Sequence, residues 1–197
     1  MILWYVLRKL ALVVYKILFF VKIEGIENIP KDGGGIICSN HISNFDGPLI
    51  VIAAPRKICI LSKAEAFKPV IGWFMKYMGC VPVKRDKKDI GTMKKSVDLI
   101  KENNLLCIFP EGTRNGLAKG QKLKNGAAFL ILATKAPIIP VGISGNFKPF
   151  RKVTIKFGKP VYFDEFYENR KDPDIYEKIN EKILSNIKMQ LTNSDKN

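Results

Sequence analysis

Ile36-Ile37-Cys38-Ser39-Asn40-His41-Ile42-Ser43-Asn44-Phe45-Asp46 changes character twice within residues 36–46. Ile36 to Cys38 is a short apolar run of the kind that forms a buried strand. It delivers Asn40 and His41, and residues 43–54 then carry a helical pattern. A strand that feeds into a helix is the repeating unit of an α/β sheet. The same junction holds the only histidine of the 197-residue chain.

The pattern repeats outward from this point. Upstream, residues 20–29 read as a strand, punctuated by Gly25 and Pro30, and residues 31–35 read as a turn. Downstream, Arg56 to Leu61 is strand-like, and 67–78 is helical and strongly apolar. Cys80 to Lys84 is a strand, and Asp89 opens a helix to about Asn103, with Met93, Val97 and Ile100 on one face. Leu105 to Phe109 is a strand ending in Pro110-Glu111-Gly112-Thr113-Arg114. A loop rich in lysine and glycine follows, then a helix near 125–134 and strands near 137–143 and 153–157. Asp172-Pro173 opens a last helix, with Tyr176, Ile179, Ile183 and Ile187 at helical spacing. The alternation predicts one α/β domain with a mixed, partly parallel sheet flanked by helices. Ligands of such sheets gather at the carboxyl ends of the strands, and His41, Arg85 and Glu111 all fall just past predicted strand ends.

His41 and Asp46 are five residues apart. On one continuous helix they would lie about 140° from each other and could not meet. They can meet if the helix begins between them, because Ser43 and Asp46 form a capping-box-like pair whose acid folds back over the helix start. An Asp accepting the Nδ1 proton would leave Nε2 free to take a proton from a hydroxyl. The spacing alone fits equally well a capping aspartate beside an unrelated histidine. Two further strand ends carry arginine: Gly79 to Arg85, and Phe109 to Arg114. The planar guanidinium suits a phosphate, and Lys122 and Lys124 add charge nearby.

The net charge of +15, from 33 Lys+Arg against 18 Asp+Glu, points to an anionic partner. Residues 1–21 are the most apolar stretch, but Arg8, Lys9 and Lys16 interrupt them, which disfavours a bilayer span. Lys9 and Lys16 share a helical face, and Trp4, Tyr5, Tyr15, Phe19 and Phe20 dominate the remainder. The expectation is a helix lying in the membrane interface with its lysines reaching up to water. The bland alternative is an amphipathic helix packed on the protein's own core. Charges inside the apolar run, and no small-residue cleavage site after it, argue against a signal peptide. No RRM, KH or helix-turn-helix signature accompanies the positive charge, so nucleic acid is not the expected partner. Cys38, Cys59, Cys80 and Cys107 form no C-x-x-C pair and read as reduced core residues. With a single histidine, a Cys/His metal site is not expected.

Together these stretches resemble the glycerolipid acyltransferase family, in particular the 1-acylglycerol-3-phosphate acyltransferases. Asn40-His41 with Asp46 matches its His-x4-Asp block, Gly79 to Arg85 its second, Phe109 to Arg114 its third, and Ile138-Ile139-Pro140-Val141 its fourth. Lys63-x-Glu65 and Lys124-x-Gly126-Ala127 resemble the intervening pattern. The resemblance implies direct acyl transfer from acyl-ACP or acyl-CoA to the hydroxyl of a lysophosphatidic acid, with no cofactor beyond that co-substrate and no metal. It implies His41 as general base and Asp46 as its orienting partner. Arg85, Glu111, Gly112, Thr113, Arg114 and Lys124 would hold the glycerol phosphate. Lys84 stands where many relatives carry an acid, which leaves the exact acceptor open. The expected layout is a membrane-associating helical segment over 1–21, an acyltransferase domain over 22–191 and a polar tail over 192–197. The enzyme would sit on the cytoplasmic face of the cell membrane, as a peripheral or monotopic protein.

Overall fold

The computed structural model describes residues 2–83, 90–169 and 171–192. Helix α1 (Ile2–Phe19) leads into strand β1 (Val21–Glu24), then β2 (Gly35–Ser39), α2 (Asp46–Ala53), β3 (Ile58–Lys63), α3 (Pro69–Met78) and β4 (Cys80–Val83). The second half runs α4 (Ile90–Lys101), β5 (Leu105–Ile108), α5 (Gly126–Thr134), β6 (Ile138–Gly145), β7 (Val153–Phe157) and α6 (Ile175–Thr192). The seven strands form one sheet in the order β1-β7-β6-β2-β5-β3-β4. Five neighbouring strands, β6 to β4 in that order, are parallel. β7 pairs antiparallel with β6, and β1 follows the direction of β7. The sheet is mixed and partly parallel, as predicted; its antiparallel pair, β6 with β7, is the one joined without an intervening helix, and β2 lies at the centre.

Every residue of β2 is buried, as expected of a parallel strand covered on both faces. Ile37 faces a core built with α1, α2 and the end of α3, whereas Ile36 and Cys38 face one built with α4, α5 and α6. The cysteines are free, and burial raises the Cys38, Cys59, Cys80 and Cys107 thiols above their ordinary pKa. The strand expected over 20–29 is shorter than its apolar pattern: β1 stops at Glu24, and Ile26–Asn28 form a single 3-10 turn.

Helix α1 revises the reading of the N-terminus. Trp4 and Phe19 are buried against the core, and Ala11, Leu12 and Tyr15 pack beside them. The aromatic residues that suggested interface anchors therefore include some that face the protein. Arg8 also turns inward. Its Nη1 donates to the carbonyls of Ile52 and Ala53, each at 3.4 Å, and to that of Ala54, all at the C-terminal end of α2. The guanidinium lies over the Trp4 ring at 5.5 Å, and burial lowers its pKa from the ordinary value. A cation at a helix C-terminus is favourable because the last carbonyls lack intrahelical partners.

The opposite side of α1 is apolar too. Leu3, Val6, Leu10, Val13, Val14 and Ile17 form one exposed helical stripe, with Leu10 and Ile17 each 60% exposed. The helix thus packs on the core with one face and leaves a second apolar face uncovered. Among the described residues no helix is long and apolar enough to cross a membrane. Arg8→Met is expected to destabilise the fold by about 1–3 kcal/mol, the range for a lost charge-assisted bond to buried acceptors. Arg8→Lys should recover part of it. Chemical denaturation with unchanged midpoints in both variants would remove the capping role.

Candidate active site

The strand register builds the site. Cys38 of β2 is paired with Ile108 of β5, so His41 and Glu111 stand level, three residues past that pair. On the other side Ser39 is paired with Val141 of β6. There Asn40 continues the ladder with its side chain: its Nδ2 donates to the Ile143 carbonyl at 2.8 Å, and the Ile143 N–H donates to its Oδ1 at 2.7 Å. A buried amide satisfied on both sides locks the chain just before His41. Sequence reading placed Asn40 in the motif without a role. The signal was there, since an amide can both donate and accept like a peptide group.

His41 and Asp46 meet. Nδ1 lies 2.7 Å from Asp46 Oδ2, with Asp46 fully buried and the imidazole 21% exposed. The same carboxylate oxygen accepts the backbone N–H groups of Ile42 and Ser43, each at 2.7 Å. The helix start differs from the expected capping box. α2 begins at Asp46 itself, after a turn in which the Asp46 N–H donates to the Ser43 carbonyl at 3.2 Å. The acid still folds back over the preceding residues, so the five-residue spacing works because no helix intervenes. An ionised carboxylate only accepts, which puts the histidine proton on Nδ1 and leaves Nε2 as a base. Tyr15 of α1 lies near: burial, with a smaller contribution from the Asp46 charge, pushes its phenol up to about 12.

Phe109 is a part of the site that sequence reading passed over. Its ring is stacked on the imidazole, with centroids 4.2 Å apart and planes 21° from parallel. Its place as the first residue past β5, level with Ser39, is visible only from the register. The contact fixes the ring plane that the Asp46 bond alone would leave free to tilt.

The loop from Glu111 wraps the His41 backbone. The His41 N–H donates to Glu111 Oε1 at 2.7 Å, and the Asn115 N–H donates to the His41 carbonyl at 2.6 Å. Glu111 Oε2 accepts the Leu117 N–H at 2.8 Å. Sequence reading put Glu111 among the groups that hold substrate. Glu111 is 3% exposed, and each of its carboxylate oxygens accepts a backbone N–H. A side chain at Gly116 would stand 2.9 Å from Oε2, which explains the glycine there.

Gly112 turns the chain at φ +70°, and a Cβ there would fall 2.7 Å from Lys124 Nζ and nearer still to the carbons below it. Lys124 thus lies across the turn, its backbone held by the Pro110 carbonyl at 2.8 Å. Thr113 Oγ1 donates to Gln121 Oε1 at 2.9 Å. Arg114 is exposed on the same turn and makes no salt bridge among the described residues. Lys122, by contrast, pairs with Glu177 at 2.7 Å. The structure therefore brings together His41, Asp46, Glu111, Gly112 and Lys124, with Thr113 and Arg114 beside them. Arg85 lies outside the described residues; β4, which leads to it, ends at Val83.

A family model described as "Acyltransferase" matches residues 20–144. The chain is 32% identical over 132 residues to a chloroplast 1-acyl-sn-glycerol-3-phosphate acyltransferase of Arabidopsis thaliana, covering 65% of this chain and 37% of that one. It is 31% identical over 153 residues to the 1-acyl-sn-glycerol-3-phosphate acyltransferase of Bacillus subtilis, covering 74% of this chain and 76% of that one. The chain thus spans little more than a third of the plant relative and about three quarters of the bacterial one. The crystal structure of the 1-acyl-sn-glycerophosphate acyltransferase from Thermotoga maritima superposes with a TM-score of 0.74 at 23% identity, covering 96% of this chain and 79% of that one. That likeness establishes a shared fold.

Proposed function

The chain belongs to the acyltransferase family, and on that premise we propose that it moves a fatty acyl group from acyl-ACP or acyl-CoA to the free hydroxyl of 1-acylglycerol 3-phosphate, yielding phosphatidic acid. The observation that carries the reading is the His41–Asp46 pair at 2.7 Å, set beside a turn that bears Arg114 and lies against Lys124, neither of which makes a salt bridge among the described residues. A base with a free Nε2 next to two cations is what a phosphorylated alcohol requires of a catalyst.

The chemistry runs in one site. Nε2 takes the hydroxyl proton as the alcohol oxygen attacks the thioester carbonyl, forming the C–O bond. The tetrahedral oxyanion collapses and the C–S bond breaks. The departing thiolate takes the proton back from the imidazolium, which leaves His41 neutral. The buried Asp46 holds the Nδ1 tautomer and stabilises the transient imidazolium. The thioester is already activated, so the transfer calls for no metal and no cofactor beyond the donor itself.

Arg114 and Lys124 hold the phosphate, with Arg85 as a third cation and Gly112 and Thr113 shaping the turn. Glu111 acts through His41 as a positioning residue. Arg114→Ala is expected to raise the KM for the acceptor about 10- to 100-fold, the equivalent of one charge-assisted bond, with a smaller change in kcat. Arg85→Ala should act in the same direction. An unchanged acceptor KM removes the arginine concerned from the site.

The uncovered apolar face of α1 lies on an anionic membrane surface, with Lys9 and Lys16 flanking it. The protein is peripheral there, on the cytoplasmic side, and nucleic acid is not its partner. The test of the whole reading is purified protein with lysophosphatidic acid and either donor, read as phosphatidic acid formed. Failure with both donors would sink the proposal, and faster turnover of glycerol 3-phosphate would move the acceptor to that alcohol.

A further inference from the structure

A second apolar and basic projection stands beside α1. Residues 146–152, Asn146-Phe147-Lys148-Pro149-Phe150-Arg151-Lys152, join β6 to β7 and contain three cations and no acid. β6 runs parallel to β2, so this connection leaves the sheet at the edge that carries His41. β7 and β1 run the other way and begin at that edge, where Gly145 and Val21 both pair with Val153. The C-terminal end of α1, the 146–152 loop and the dyad therefore share one end of the molecule.

Direct contacts tie them together. The Phe150 N–H donates to the Leu18 carbonyl at 2.6 Å, closing the C-terminal end of α1. The Phe147 ring lies 5.3 Å from Phe19 and 5.7 Å from Phe45, the residue before Asp46. Phe20 and Phe150 turn the other way. They are 54% and 64% exposed, with ring centroids 6.2 Å apart. Both hold positive φ, 40° and 61°, where a bulky side chain is strained. Strain that presents two phenyl rings to water gains nothing for folding. Lys148, Arg151 and Lys152 are exposed around them and make no salt bridge among the described residues.

We propose that the 146–152 loop is a second membrane-contacting limb: Phe20 and Phe150 enter the lipid interface while Lys148, Arg151 and Lys152 hold anionic headgroups. The occupant is an anionic bilayer, on two grounds. The loop's charge is complementary to it, and its aromatic pair continues the uncovered apolar face of α1. The proposal deepens the reading of α1 as membrane-bound and rests on it. Its consequence is that the catalytic edge itself faces the bilayer, so a lipid hydroxyl reaches His41 without leaving the interface.

Sedimentation of the full chain with phosphatidylcholine vesicles, with and without phosphatidylglycerol, tests it. The triple variant Lys148→Ala, Arg151→Ala, Lys152→Ala is expected to lose about 100-fold in partition onto anionic vesicles, at about fivefold per cation. On neutral vesicles it should change little. Phe150→Asn accepts positive φ and keeps the bond to Leu18, and it should weaken binding to both vesicle types. Far-UV circular dichroism and thermal midpoints verify the fold of each variant. Undiminished partition of both folded variants overturns the proposal. So does loss of acyl carrier protein binding with vesicle partition intact, which would assign the loop to a protein. Turnover of a short-chain lysophosphatidic acid, monomeric in solution, is expected to be equal in wild type and variants. Its absence in wild type would count against acyl transfer and leave the vesicle result standing on its own.

Discussion

Replacing His41 by alanine is expected to lower kcat/KM by about 10²–10⁴-fold, the usual contribution of a general base, with no loss of folded protein. The side chain is not a core element. It touches Asp46 and Phe109, and its imidazole is partly open to solvent. Its backbone is held separately, by Glu111 on the N–H and Asn115 on the carbonyl. Removing the ring therefore leaves both strand-end connections in place. Asp46→Asn is a harsher change for its size. Oδ2 accepts three N–H groups in a fully buried position. An amide nitrogen placed there would face donors with a donor, and an amide oxygen placed there would lose the charge that stabilises the imidazolium. Activity should fall by a similar factor, and stability should fall as well. Steady-state rates beside urea denaturation separate the two effects: His41→Ala moves the first, Asp46→Asn moves both. Full activity in His41→Ala would end the proposed mechanism.

The second large effect is expected at Glu111. Glu111→Ala leaves the N–H groups of His41 and Leu117 without their partners at a nearly closed site. Each unsatisfied buried group costs about 1–3 kcal/mol, so a loss of about 2–6 kcal/mol is expected. His41 would also be free to shift, and a displacement near 1 Å costs about 100-fold in rate. Glu111→Gln makes the argument specific. Its oxygen can satisfy one N–H, but its NH2 then opposes the other, so it should recover only part of either loss. A residue that held substrate directly would behave differently, raising the acceptor KM with stability unchanged. That pattern in both variants would return Glu111 to the phosphate site.

The site was legible in sequence to different depths. His41 and Asp46 could be paired only conditionally, because the decision turned on where α2 begins. The structure starts the helix at Asp46, later than the Ser43 expected to cap it. The expected acid–histidine contact survives because both lie within one turn of chain. Glu111 was recognisable as special, but its contact with the His41 backbone was not. Its partner is 70 residues away, and no local pattern records which backbone N–H a carboxylate will meet. Phe109 and Asn40 were missed for the same reason, since their roles come from the register of β2 against β5 and β6.

The N-terminus shows the limit from another side. Apolar content in residues 1–21 announced a surface-seeking helix, and an exposed stripe from Leu3 to Ile17 is indeed present. Composition could not say that the helix has two apolar faces, nor that Arg8 would turn inward to cap α2. Hydrophobicity measures how much surface avoids water, and only packing decides against what.

By itself, the sequence determined the alternation of strands and helices, the α/β class with a partly parallel sheet, and the segments that meet at the candidate site. Those features depend on periodicity and turn residues within a few positions of one another. The tertiary structure alone decided the strand order, the reversed direction of β1 and β7, and the gathering of α1, the 146–152 loop and the dyad at one edge. These depend on pairing between distant segments, where burial and hydrogen bonding are shared and neither segment specifies the outcome alone.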